Sequence, residues 1–278
     1  MRFIIFIIFL SLASSCGPRQ DQVSEKSLSI PELINPPQEI QQAIQEAFPG
    51  AVPTTIFADS VFKYLSDRYQ ITSENLLIGI STCVDDIIYT KNFHRHPEMK
   101  GPFHIGGLAG IPFTGISGLN AFSHHVPENG TMALLVGPHI GYSKEKGWGY
   151  VLRPGQHEAS SCCGALVGTL SSFEKGEIKP GVVREDDYQG DKIGQLALAH
   201  SQEILNSPNH LIALTKITRE EVETQIDRML PKVDLQHERY IVAIVMVLIN
   251  TDHSYLDYIQ VTHFQVYDVK NKVFLEDK

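Results

Sequence analysis

The sequence is short of three things, and each shortage excludes something. It has no excess of positive charge: 23 Lys and Arg against 32 Asp and Glu give a formal net charge of −9. That balance excludes the basic patch that nucleic-acid binding needs and any strong electrostatic pull toward anionic lipid. It has no apolar run of bilayer length. Residues 3–12 supply about half of what a spanning helix requires, and the longest later run, 241–249, is a strand's length. It has only four cysteines, Cys16, Cys83, Cys162 and Cys163, in no compact finger spacing. Nor does it contain an internal repeat or a low-complexity tract.

What is present begins with a leader. Arg2 supplies a short positive region, 3–12 an apolar core, and Ala13-Ser14-Ser15 small residues before Cys16-Gly17. This is the pattern of a signal peptide over 1–15 followed by a lipobox cysteine, with Ala13 where the pattern prefers Leu. We expect an exported bacterial lipoprotein, acylated on Cys16 and held to the cell envelope, periplasmic or outer-surface side, through that anchor alone. Residues 16–35 are mostly polar and proline-bearing and read as a tether. Residues 36–278 are long enough for one domain with a sizeable core.

Within that domain the apolar periodicity predicts helices over 38–48 and 58–69, separated by the prolines at 49 and 53. Residues 75–82, 131–136 and 240–250 are nearly continuous apolar runs, the pattern of strands buried on both faces. Residues 165–170 read as helix, and Thr218-Arg219-Glu220-Glu221 has the spacing of a capping box opening a helix that runs to Leu230. Residues 257–269 alternate and end the sheet. The expected class is α/β, with chemistry gathered at the carboxyl ends of the strands, where Cys83-Val84-Asp85 and Gly137-Pro138-His139 fall.

Seven of the twelve histidines lie between 94 and 157, among them His94, His96, His104, His124, His125 and His139. His94 and His96, beside Arg95 in a charged loop, are expected to be solvated. Three domain cysteines cannot pair completely, and adjacent Cys162 and Cys163 have poor geometry for bonding each other. At least one thiol needs another use. Thiolates with imidazole select zinc over magnesium or calcium, and three protein ligands leave a catalytic fourth position. The separations, 56 residues from Cys83 to His139 and 24 from there to Cys163, leave the fold to bring them together.

Several short motifs in a fixed order carry a family resemblance. They are Phe48-Pro49-Gly50-Ala51, Cys83-x-Asp85, Gly107-Leu108-Ala109-Gly110, Thr114-Gly115 and Ser123-His124-His125-Val126-Pro127. Gly137-Pro138-His139-Ile140-Gly141, Arg153-Pro154-Gly155 and Ser161-Cys162-Cys163-Gly164-Ala165-Leu166 complete the series. From 48 to about 273 the chain resembles the limiting-CO2-inducible B/C family. The resemblance implies a β-carbonic-anhydrase-like fold, a mainly parallel central sheet flanked by helices. It further implies Zn2+ held by Cys83, His139 and Cys163, with Cys162 the neighbouring thiol, and an active-site aspartate at Asp85. The implied reaction interconverts CO2 and bicarbonate by zinc-bound hydroxide, and a homodimer is expected. Relatives often carry Arg directly after the first cysteine, where this chain has Val84. Arg153, within a family motif, is the preferred partner for Asp85, with Arg95 as the alternative. His124 and His125 are candidates for proton shuttling or for a supporting role around the metal.

Three other readings stay open at this point. One is a catalytically inactive zinc lipoprotein that uses the fold as a structural or ligand-binding module. The second is a surface lipoprotein using the fold only as scaffold. The third is an enzyme with Cys83 or Cys163 as nucleophile.

Overall fold

The computed structural model describes residues 33–85, 87–90 and 102–278. The leader with Cys16, most of the tether, and His94, Arg95 and His96 lie outside the described residues.

Helix α1 (Gln38–Ala47) follows the Pro36-Pro37 pair and buries Ile40 and Ile44. A two-residue strand, β1 (Val52–Pro53), leads straight into α2 (Thr54–Tyr69). That helix starts four residues before the expected position: the last proline is Pro53, and a proline just ahead of a helix opposes nothing that follows it. Then come β2 (Leu76–Ser81), a short α3 (Ile87–Thr90), β3 (Phe103–His104), α4 (Gly115–Ser123), β4 (Thr131–Val136) and β5 (His139–Ser143). The small strands β6 (Gly147–Trp148), β7 (Tyr150–Val151) and β8 (Ser160–Ser161) precede the helices α5 (Gly164–Glu174), α6 (Tyr188–Ala199), α7 (Ser201–Asn206) and α8 (His210–Met229). The long strands β9 (Tyr240–Thr251) and β10 (Tyr258–Asp268) and the shorter β11 (Val273–Asp277) close the chain.

The main sheet runs β1-β10-β9-β4-β2-β3, with β5 also on β9 and β11 on β10. β3, β2, β4, β9 and β5 form its parallel part. β10, β11 and β1 add an antiparallel edge. The expected α/β sheet flanked by helices is therefore the architecture, mainly parallel at its centre with an antiparallel edge.

β9 explains how the layers form. All twelve of its residues are buried. Ile241, Val245, Val247 and Ile249 pack on one face with α1, α4, α5, α6 and α8, while Tyr240, Val242, Ile244 and Met246 pack on the other with α2. The alternation is the period of two that a pleated strand imposes. Burying each such aliphatic side chain contributes roughly 1.5–3 kcal/mol, which is why an almost featureless apolar run sits at the middle of the sheet. Met132 and Met246 are fully buried, as their place in strand runs predicts.

Two sequence expectations need correction. Helix α8 begins at His210, not at the Thr218 capping box. Its cap is Asn209, whose side chain accepts from the Ile212 amide at 3.0 Å. Thr218 lies in mid-helix, and its hydroxyl donates back to the Leu214 carbonyl at 2.7 Å. A capping sequence without a break before it does not start a helix when the preceding residues already carry a buried face. The second correction concerns the tether: Ile34 already docks on the domain, bridged to Tyr255 and hydrogen-bonded to Ser254 and Leu256. Among the described residues no helix is long and apolar enough to cross a membrane.

Candidate metal centre

Three segments converge beyond the carboxyl ends of the parallel strands. β2 stops at Ser81, and Cys83 follows two residues on, buried. β4 stops at Val136, and the chain turns through Gly137-Pro138 into β5, which opens on His139. Cys163 is the residue that caps α5, reached through a cis peptide bond from Cys162.

Two glycines make this convergence possible. At Gly137 a Cβ would lie 1.7 Å from the Met246 carbonyl oxygen, and at Gly110 it would lie 2.1 Å from the Gly137 carbonyl oxygen. Both have positive φ, so a side chain is excluded by space and by backbone conformation together. With hydrogen in its place, the 107–110 loop packs backbone to backbone on the turn before His139. That approach brings the Ala109 amide to the Cys83 sulfur at 3.3 Å, a donor that favours a thiolate.

The Cys83 and Cys163 sulfurs are 3.6 Å apart. Two thiolates on one tetrahedral zinc, each about 2.3 Å from it, stand about 3.8 Å from each other. His139 is fully buried and, among the described residues, its Nε2 has no hydrogen-bond partner. One ligand atom from each of Cys83, His139 and Cys163 lies within 4.8 Å of the others. Buried polar atoms are nearly always paired, so an orphaned imidazole nitrogen beside two sulfurs fits a soft divalent cation. The adjacent thiol takes a different place. Cys162 Sγ sits 3.6 Å from His139 Nδ1 and 3.7 Å from Asn250 Oδ1, on the other side of the ring. Asp85, His139 and Cys162 also come within 4.8 Å of one another. Cys162, however, faces the ring nitrogen that already bonds Asn250 at 2.8 Å.

The electrostatics favour positive charge at this point. Burial works against a charged imidazole, but the Cys162 and Cys83 sulfurs overrule it and push His139 well above its ordinary value. The Cys83 thiol is pushed up by its hydrogen bond to Cys163 and then by burial, and Cys162 is pushed up by burial. A proton on the ring and a cation among the sulfurs answer the same demand.

Asp85 stands at the edge of the cluster, its Oδ2 3.9 Å from His139 Nε2. Arg153 Nη2 donates to both of its oxygens, at 2.8 and 3.1 Å. The guanidinium is itself anchored through Nη1 to the Ser160 hydroxyl at 2.7 Å and the Ser161 carbonyl at 3.1 Å, both on β8, which pairs with β7 just before Arg153. Val84 is 60% exposed, so the position after Cys83 faces away, and the guanidinium reaches Asp85 from the hairpin instead.

His124 and His125 do not join this constellation. α4 ends just before them and feeds the amino end of β4, whereas the cysteines and His139 gather at the carboxyl ends. Both are exposed, and the His125 ring packs against Phe103. The proton-shuttle expectation has no geometric support, because a residue that leads into a parallel strand lies at the opposite end from one that leaves it.

The structure adds two residues that the sequence reading passed over. Asn250 bonds His139, and Asp257 bonds Asn250. A signal existed: Asn250 is the lone carboxamide closing an otherwise apolar strand, and a buried polar residue at a strand's end needs a partner.

Comparison with known proteins bears on the same residues. The family profile of the limiting CO2-inducible proteins B/C beta carbonic anhydrases matches residues 51–268. The crystal structure of PtLCIB4, a homologue of the limiting CO2-inducible protein LCIB, superposes with a TM-score of 0.74 at 24% identity, covering 85% of this chain and 99% of that one. The crystal structure of limiting CO2-inducible protein LCIB itself gives 0.62 at 17% identity, covering 83% and 96%. Both likenesses concern the fold. None of the curated proteins searched matches the chain significantly.

Proposed function

Because the chain belongs to the limiting CO2-inducible B/C family of beta carbonic anhydrases, we propose that it interconverts CO2 and bicarbonate at a zinc ion held by Cys83, His139 and Cys163. The observation that carries the reading is the pair of sulfurs 3.6 Å apart facing a buried, unpartnered imidazole nitrogen. Zinc in that donor set would supply a Lewis acid that brings the pKa of a water ligand toward neutrality.

The protein's own groups set the rest. Asp85 offers acceptor oxygens beside the open side of the cluster and orients a proton donor there. Arg153 bonds both of those oxygens, neutralises their charge and holds them off as a neighbour rather than a ligand. Cys162 fills the wall behind the imidazole and excludes water from it.

Stopped-flow CO2 hydration by the zinc-loaded protein tests the reading, with a rate above buffer as the expected result. Tight zinc binding without any such rate would replace it with the alternative, an inactive zinc-binding module. Placement belongs to the same reading: we infer export and acylation at Cys16, and a Cys16→Ser chain that still incorporates labelled fatty acid would refute it.

A further inference from the structure

We propose that Asn250, held by Asp257, is a positioning residue that fixes the tautomer of His139 and so sets how tightly the centre holds its metal. The inference rests on the zinc-site reading above, but its geometry can be tested without metal.

The orientation of each group follows from the next one out. The Asp257 side chain is buried. Its Oδ1 accepts from the Thr251 amide at 2.8 Å, and its Oδ2 accepts from Asn250 Nδ2 at 3.0 Å. A carboxylate offers acceptors only, so the Asn250 amide must turn its nitrogen toward Asp257 and its oxygen toward His139. That oxygen meets His139 Nδ1 at 2.8 Å. A hydrogen bond between them requires the proton on Nδ1, which leaves the lone pair of the neutral ring on Nε2, the nitrogen without a partner.

The topology makes the relay rigid. β5 lies parallel to β9, with Gly141 opposite Asn250, so His139 and Asn250 sit on neighbouring strands. The short connection from β9 to β10 returns the chain so that Asp257 comes back to the end of the strand it has just left. All three side chains are buried, which keeps water from supplying substitute donors or acceptors.

An isosteric change separates this role from a merely structural one. In Asp257→Asn the new amide keeps its oxygen on the Thr251 N–H and presents its nitrogen to residue 250. Asn250 must then flip, offering its own nitrogen to His139 Nδ1, and the ring proton moves to Nε2. The swapped double variant, Asn250→Asp with Asp257→Asn, returns an acceptor to the Nδ1 side and keeps a donor–acceptor pair between the two positions.

Two measurements read the effect. Nitrogen-15 NMR of the metal-free protein, at a pH where the ring is neutral, reports the tautomer. Competition with a chromophoric chelator reports zinc affinity. We expect the Nδ1–H form in the wild type and the Nε2–H form in Asp257→Asn. Zinc affinity should fall roughly 10- to 100-fold in that variant, with both properties restored by the swap. An unchanged tautomer in Asp257→Asn would overturn the proposal. So would a loss of affinity that the swap does not recover, since that marks a packing effect. If the wild type binds no zinc at all, the zinc-site reading fails, and the tautomer measurement still decides the relay.

Discussion

Two buried polar clusters stand in this protein, and they are built on opposite terms. At the antiparallel edge the Glu276 carboxylate accepts from the Tyr64 and Tyr69 hydroxyls at 2.5 and 3.1 Å and pairs with Arg68 and Lys278 at 3.2 and 2.5 Å. The carboxylate there finds its partners within the chain. At the carboxyl ends of the parallel strands, two sulfurs and an imidazole converge with one ring nitrogen left unpartnered. The first cluster is complete within the chain and ties β11 to α2. The second leaves its soft donors facing one another, and on the reading proposed above a cation would complete it. A buried polar group that finds its partners within the chain belongs to the structure, and a converging set of soft donors that does not find them marks a site.

The largest expected effect breaks the second cluster and spares the first. Cys83→Ser or His139→Ala should weaken zinc binding by on the order of 1,000-fold or more, because a three-ligand site loses a ligand. Glu276→Gln should leave affinity unchanged in the same chelator competition. Equal losses in both would erase the distinction.

Acid sharpens the contrast next. Zinc must displace the proton from the Cys83 thiol, which its surroundings push up. Affinity should therefore fall as pH falls, by about tenfold per pH unit for each proton displaced. A pH-independent affinity would show that the thiols are not ligands.

Arg153→Ala comes third. Freed from the guanidinium, Asp85, whose Oδ2 already stands 3.9 Å from His139 Nε2, can swing toward the metal position. We expect CO2 hydration to drop by roughly 10- to 100-fold with zinc content intact, Asp85 losing its charge-assisted bonds to Arg153. A loss of zinc instead would make Arg153 structural.

The smallest effect belongs to Glu276. Its hydrogen bonds from Lys278, then Tyr64, lower its pKa from 4.5 to about 2. Folded-state depression means that its stabilisation is present above pH 4.5 and is lost as pH falls through about 2. Acid-unfolding curves of wild type and Glu276→Gln should converge across that window; parallel curves would show that the carboxylate contributes nothing.

Much of this was legible in the chain. The apolar runs at 75–82, 131–136 and 240–250 emerged as β2, β4 and most of β9 because a strand buried on both faces has little choice of composition. Helix α8 was less legible. Its true cap, Asn209, lies before residues such as Leu211 and Leu214, whose burial depends on what packs over them. His124 and His125 misled because nearness in sequence to glycine-rich motifs says nothing about which end of a strand a turn occupies.

By itself, then, the sequence determined the secondary structure of the sheet's middle, the acidic net charge, and the short list of thiols and histidines fit for a soft metal. These depend on composition and local periodicity. Only the tertiary structure decided which thiol faces Cys83, that Arg153 reaches Asp85, and that Asn250 and Asp257 orient His139. Each of those pairs joins residues from different segments, and their hydrogen bonds exist only where the parallel strands and the returning β9–β10 connection bring the partners within about 3 Å.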